Sequence, residues 1–203
     1  MAINIKYKTI FIHIPKTAGS SMELKSFVGQ EGKQTHWSLN MFKSQLRGKS
    51  SNYFKWCFSR NPYDRLVSSY HWGIKNHKQR YLKDINSFND FIDKIDDFYD
   101  FENPTSVNQT RSGIHVIPQH VFVNDNISEL DFIGKFENIN EDFKKLCLKI
   151  EQHSGITIED KTLPVKKKTN HKHWKEYYNK DIYQKINKLY KKDFDLFGYQ
   201  LNS

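Results

Sequence analysis

Two short polar stretches, each placed where an apolar run ends, carry the residue types that hold anions. The first, Lys16-Thr17-Ala18-Gly19-Ser20-Ser21, follows the uncharged run Thr9-Ile-Phe-Ile-His-Ile14 and Pro15. It gathers an ammonium, three hydroxyls and a glycine within six positions. At a strand-to-helix turn, backbone N–H groups, hydroxyls and a cation of this kind form a phosphate cradle. The second is Arg60, directly after Tyr53-Phe-Lys-Trp-Cys-Phe-Ser59, with Ser68 eight positions further on. A guanidinium at a strand's end is suited to paired bonds with phosphate oxygens. Two phosphate corners facing one crevice suit a nucleotide with phosphates at both ends.

The elements that must position these residues are legible in the pattern. Thr9–Ile14 is short, β-branched and aromatic, and ends at a proline, so it reads as a buried strand. A helix follows, capped by Ser20 or Ser21, carrying Met22, Leu24, Phe27 and Val28 and ending near Gly29. A short helix is expected from Ser38 and a second buried strand over 53–59. Asn61 then caps a helix with Pro62 at its first position and Leu66, Val67 and Tyr70 inward. Ser87 opens another helix with Phe88, Phe91, Ile92 and Ile95 at helical spacing. His120–Val123 and Leu130–Phe136 read as strands, and a helix from about Asn138 to His153 stops at Gly155. The tail from Trp174 is helical, with Ile182, Ile186, Leu189 and Phe194 on one side. Strands alternating with helices predict an α/β fold: a P-loop-like parallel sheet flanked by helices, in a single domain over 1–203. Ligands of such sheets gather at the carboxyl ends of the strands, where both polar junctions fall.

Composition narrows the partners without choosing one. The net charge is +9, which predicts anionic partners: a nucleotide, a polyanionic sugar, nucleic acid or an acidic membrane. Aromatic residues make up 15% of the 203, enough for a core of few, large side chains. No apolar run approaches the roughly 18 residues of a membrane span. The N-terminal residues lack a signal peptide's apolar core, and Cys57 and Cys147 read as separate buried thiols, so a cytoplasmic protein is expected. The Walker order GxxxxGK[ST] is absent, since the lysine here precedes the glycine, and this disfavours kinase or ATPase chemistry. His115, His120, His171 and His173 lack metal-ligand spacing with the cysteines, so no metal site is expected.

"HIPKTAGSS" resembles the 5′-phosphosulfate-binding loop of sulfotransferases, and "FSRNPYDRLVSSY" resembles their 3′-phosphate-binding segment. The resemblance is strongest to carbohydrate sulfotransferases related to the heparan and chondroitin enzymes. It covers most of the chain, since "DFIGKFENINEDF" and the closing "YYNKDIYQKINKLYKKDFDLFGY" also fit. It implies the donor 3′-phosphoadenosine 5′-phosphosulfate (PAPS), the product PAP, and a hydroxyl acceptor that is a carbohydrate or glycolipid. Lys16, Thr17, Ala18, Gly19, Ser20 and Ser21 would then hold the phosphosulfate, with Lys16 also the electrostatic catalyst, and Arg60 and Ser68 would hold the 3′-phosphate. A lysine and backbone amides can stabilise charge on the leaving oxygen without a metal. His36, in "HWSLNMF", occupies the place of the relatives' general base, and histidine has the right unperturbed pKa.

Further expectations rest on looser signals. Gln109 and Arg111 in "NQTRSG" are either plain loop residues or acceptor contacts. The segment 161–175 has six lysines and no acid; it reads as a solvated basic loop or, as the resemblance implies, a flap that brings Lys168 to the donor. His13 is expected to be packed, and His71 and His77 stand next as candidate bases. The relatives' anchoring N-terminal helix has no counterpart in these residues, which points to a small cytoplasmic acceptor. The competing readings are a nucleic-acid-binding module using Lys166–Lys168 and Trp174, and a nucleotide kinase.

Overall fold

The computed structural model describes residues 2–29, 36–77, 82–103, 113–164 and 171–203. Four strands form one mixed sheet in the order β1 (Ile3–Asn4), β2 (Thr9–Phe11), β3 (Phe54–Ser59) and β4 (Phe132–Lys135). Among the described residues the helices are α1 (Gly19–Met22), α2 (Leu39–Gln45), α3 (Pro62–His77), α4 (Phe88–Asp93), α5 (Gln119–Phe122), α6 (Ile139–Ser154), α7 (Lys180–Leu189) and α8 (Lys191–Phe197). The expected α/β class holds: β2, β3 and β4 run parallel, with Phe11 opposite Trp56 and Trp56 opposite Phe132. β1 adds an antiparallel edge for which the sequence carried little signal. It is made by a tight turn in which Asn4 Oδ1 accepts from the Tyr7 amide and Lys8 takes φ 52°.

The chain groups into two compact units, Met1–Arg60 with Phe122–Lys167, and Asn61–Val121 with Lys168–Ser203. The first holds the sheet. Its core is an aromatic stripe dictated by register: Phe11 and Trp56 lie opposite each other and their rings stack at 4.2 Å. Phe27 reaches Trp56 from the turns after α1, and Phe143 of α6 packs on Phe27. Gly134 lies opposite Phe58, and a Cβ there would sit 2.3 Å from the Phe58 ring, so the position admits no side chain. Beyond α6, Gly155 turns the chain at φ 70° as a left-handed cap. Lys25 then pairs with Asp160 at 2.6 Å and Lys161 with Glu151 at 2.8 Å, tying the segment back. The bonds from Lys25 and Thr162 hold the Asp160 carboxyl below the usual carboxylate range. Cys57 and Cys147 are free buried thiols, as expected; burial pushes Cys57 far up and Cys147 to about 11.

The second unit is helical. Asn61 Oδ1 accepts from the Tyr63 amide, and Pro62 opens α3 as the sequence predicts. Leu66 and Val67 are buried, while Tyr70 is half-buried. Tyr63 is the hub: Trp174 stacks on it at 5.2 Å, and Tyr178, Tyr183 and Phe194 surround it. Ser87 caps α4 through a capping box with Asp90, as its spacing predicts.

Two expectations fail locally. His120–Val123 is not a strand but falls within and just after α5, because Pro118 precedes it and Asp193 accepts from the Gln119 and His120 amides. A carboxylate on two successive amides nucleates a helical turn that a β-branched run cannot undo. The helix expected from Ser20 or Ser21 to Gly29 shortens to α1, then continues as turns. Phe27 and Val28 are still buried, but Leu24 is 55% exposed.

The Gly134 contact supplies a test. Gly134→Ala is expected to lower unfolding free energy by about 1–3 kcal/mol, since backbone and the Phe58 ring must both shift. Urea titration reads it directly, and an unchanged midpoint would show that the sheet yields at this point.

Candidate active site

The polar loop after β2 is built by backbone geometry rather than by helix capping. Ile12 still donates to the Trp56 carbonyl, so the strand runs on past Phe11 before Pro15 ends it. Lys16 and Ala18 then take φ 71° and 66°, left-handed conformations unusual for residues with a Cβ. Alternation of hand along successive residues is the backbone pattern of anion-binding concavities. Thr17 is fully buried, and its hydroxyl donates to the Ile14 carbonyl at 2.9 Å, closing the turn from inside. Ala18 is the N-cap of α1 without a side-chain cap, so neither Ser20 nor Ser21 has the capping role the sequence suggested. Ser21 is buried and Lys16 and Ser20 are half-buried.

Arg60, at the carboxyl end of β3, reaches this loop. Its side chain is buried, its Nη1 donates to the Lys16 carbonyl at 3.0 Å, and its guanidinium lies 4.0 Å from the centre of the Phe136 ring. The two junctions therefore meet, as adjacent parallel strands require. Lys135 ends β4 beside them in the sheet, and its amide donates to Asp142 in the first turn of α6. The carboxyl ends of three neighbouring strands thus carry or precede Lys16, Arg60 and Lys135, a strongly cationic edge that attracts anions.

His36 is held against the same loop. Its Nδ1 lies 2.9 Å from the His13 carbonyl oxygen, which can only accept, so Nδ1 carries the proton. In the neutral ring the basic lone pair is then on Nε2. His13 itself is buried, with Nδ1 3.0 Å from Glu23 Oε1 and its ring centre 4.4 Å from that of His36. It stacks on Phe11 and packs on Gly19, where a Cβ would meet its Nε2 at 1.8 Å. The glycine of the loop is thus required by a histidine two residues before the proline.

Of the other candidates, Ser68 lies buried on α3 in the second unit. Gln109, Arg111 and Lys168 lie outside the described residues, as does the side chain of His77. His71 accepts or donates at 2.8 Å to the Tyr177 hydroxyl and stacks on His171; burial, then His171, lowers its pKa. Trp174, stacked on Tyr63, serves as packing rather than as an open base-stacking surface. Phe136, Lys135 and Glu23 were missed from sequence, whereas His13 is packed as expected. Lys135 and Phe136 could have been found as the residues that end a buried strand, the position that marked Arg60.

Comparison with known proteins bears on this arrangement. Residues 1–200 match a family described as "Sulfotransferase family". Carbohydrate sulfotransferase 14 of Danio rerio is 26% identical over 240 aligned positions, covering 98% of this chain and 62% of that protein. The chain therefore spans under two thirds of the length of this relative. No solved structure gives a significant match.

The bond from Arg60 to the loop carbonyl makes a testable claim about the loop. Arg60→Ala removes a charge-assisted hydrogen bond of about 1.5–3 kcal/mol. Hydrogen exchange at the amides of 17–20 is expected to accelerate in that variant, while exchange in α6 stays near the parent rate. Equal protection in both proteins would show that the loop holds its shape without Arg60.

Proposed function

Because the chain belongs to the sulfotransferase family, we propose that it moves a sulfuryl group in line from PAPS to a hydroxyl of a carbohydrate acceptor, with His36 as general base. The observation that carries this reading is the Arg60–Lys16 bond, which brings two cation-bearing strand ends together where a doubly phosphorylated nucleotide would lie. That the Danio rerio relative is a carbohydrate sulfotransferase supports a carbohydrate acceptor. The residues fit the donor: the loop alternates hand, and a buried guanidinium stands at its rim.

When bound, PAPS supplies the sulfuryl group and a bisphosphate leaving group. Thr17, Ala18, Gly19, Ser20 and Ser21 shape the cradle, with Thr17 bracing it through the Ile14 carbonyl. Lys16, half-buried on the loop, would hold positive charge near the leaving oxygen, where negative charge grows. Arg60, which keeps the loop in place through the Lys16 carbonyl, would hold the 3′-phosphate. His36 takes the acceptor's proton at Nε2, because its Nδ1 proton is committed to the His13 carbonyl. A second reading as a nucleotide kinase has no comparable support, since no Walker order is present and the family is a different one.

The deciding experiment is transfer of labelled sulfate from PAPS to a panel of mono- and oligosaccharide acceptors. Incorporation into a sugar hydroxyl is expected; hydrolysis of ATP with no sulfate transfer to any acceptor would sink the proposal. Binding gives a second check. PAP with chelator present is expected to stabilise the chain by about 2.7 kcal/mol at about a hundredfold excess over its dissociation constant. A stabilisation that vanished with chelator, or that ATP matched, would count against the donor.

The residues divide that labour in a measurable way. Lys16→Ala is expected to lower turnover more than PAP affinity, because its partner is charge that develops in the transition state. His36→Ala is expected to cut turnover by about 10²–10⁴-fold with PAP binding retained. A His36→Ala variant that kept more than about a tenth of parent turnover would move the base elsewhere.

A further inference from the structure

Phe136 has no part in the transfer step described above, yet it lies against one of the residues that would bind the donor. It is the first residue after β4, half-buried, and the Arg60 guanidinium lies over its ring at 4.0 Å from the centre. Arg60 is only 7% exposed, and its Nη1 donates to the Lys16 carbonyl at 3.0 Å. Ser59 of β3 lies opposite Lys135 of β4, so the next residues, Arg60 and Phe136, leave the sheet side by side. Parallel register thus delivers an aromatic ring to the cation at the end of the neighbouring strand.

An arginine this deeply placed has given up most of its water, and the lost solvation must be replaced. A carboxylate can replace it, but it also cancels charge that an incoming phosphate needs. The face of a benzene ring replaces part of it through its quadrupole and leaves the guanidinium a full cation. The ring also occupies one side of a long, rotatable side chain, which narrows the conformations open to Arg60. A guanidinium ordered in advance loses less freedom when it closes on a ligand.

We propose that Phe136 is a positioning residue for the donor's 3′-phosphate: its ring holds the Arg60 guanidinium oriented and fully charged for that anion. This rests on the reading of Arg60 as the 3′-phosphate ligand. The ring touches no reacting atom, so its contribution belongs to donor affinity and not to the chemical step. It belongs, moreover, to one end of the nucleotide, since a ligand without a 3′-phosphate gains nothing from the guanidinium's orientation. The Nη1 bond to the loop defines the competing outcome. A ring that only braced the loop would serve the 5′ end, and its loss would weaken nucleotides with and without a 3′-phosphate alike.

The test compares PAP with adenosine 5′-monophosphate by calorimetric titration of the full chain, and PAP is expected to bind the parent more tightly. Phe136→Leu keeps apolar bulk but has no aromatic face. It is expected to lower the ratio of the two affinities by about three- to thirtyfold, with kcat nearly unchanged. Phe136→Tyr returns the ring and is expected to restore the ratio. Phe136→pentafluorophenylalanine preserves the shape while reversing the ring's quadrupole, and it too is expected to lower the ratio. That variant decides the matter even where Phe136→Leu fails to fold. An equal loss for both nucleotides, or a ratio unmoved by the fluorinated ring, overturns the proposal. A parent chain that binds the two alike overturns it as well. Arg60→Gln separates this claim from the one beneath it. If that variant leaves the ratio intact, Arg60 is not the 3′-phosphate ligand, and the proposal falls with that assignment. If it lowers the ratio while the Leu and fluorinated variants do not, Arg60 keeps its role and Phe136 alone loses its own.

Discussion

The geometry of the site depends on one buried guanidinium. Arg60 donates to the Lys16 carbonyl and lies over the Phe136 ring, so a single side chain links the ends of β2 and β3 to the residue after β4. The loop it holds contains two residues with a Cβ in left-handed conformation, each costing on the order of 1–3 kcal/mol. Such strain persists only where surrounding contacts over-determine the backbone. Here they are the Arg60 bond from outside and the Thr17 hydroxyl on the Ile14 carbonyl from inside.

Beneath the loop, packing and chemistry use the same side chains. The stripe that starts at Phe58 and passes through Trp56 and Phe11 ends on the imidazole of His13. Its final ring is thus both a core residue and the partner of Glu23 and His36. Gly134 and Gly19 play matching parts at the two ends, each missing a Cβ where an aromatic ring or imidazole lies. Register in the sheet therefore controls the position of His36, because a slipped β2 would turn His13 to the opposite face.

Much of this was legible in the sequence. The strand runs, the caps at Asn61 and Ser87, and the Gly155 stop follow from local rules that packing did not override. The polar junctions followed from residue types at strand ends. What was not legible depended on distant partners. Nothing near His120 announces that Asp193 will capture its amide and turn an apolar run into a helix. Nothing in "HIPKTAGSS" says that its histidine needs the glycine six positions later. The brief length of α1 likewise reflects a start at Ala18 that owes nothing to a serine cap.

The division of each unit into two lengths of chain has a consequence for synthesis. β3 leaves the ribosome well before β4 and α6, which complete the sheet and supply Phe143 to its aromatic face. Until residue 154 has emerged, Trp56 and Phe58 have no finished core to enter, and the nascent chain must carry that surface through the making of all the residues between β3 and β4. Chains with such delayed, non-local closure fold slowly and expose adhesive surface meanwhile. A ribosome stalled near residue 121 would therefore display a sticky sheet lacking β4, a substrate for chaperones rather than a folded intermediate.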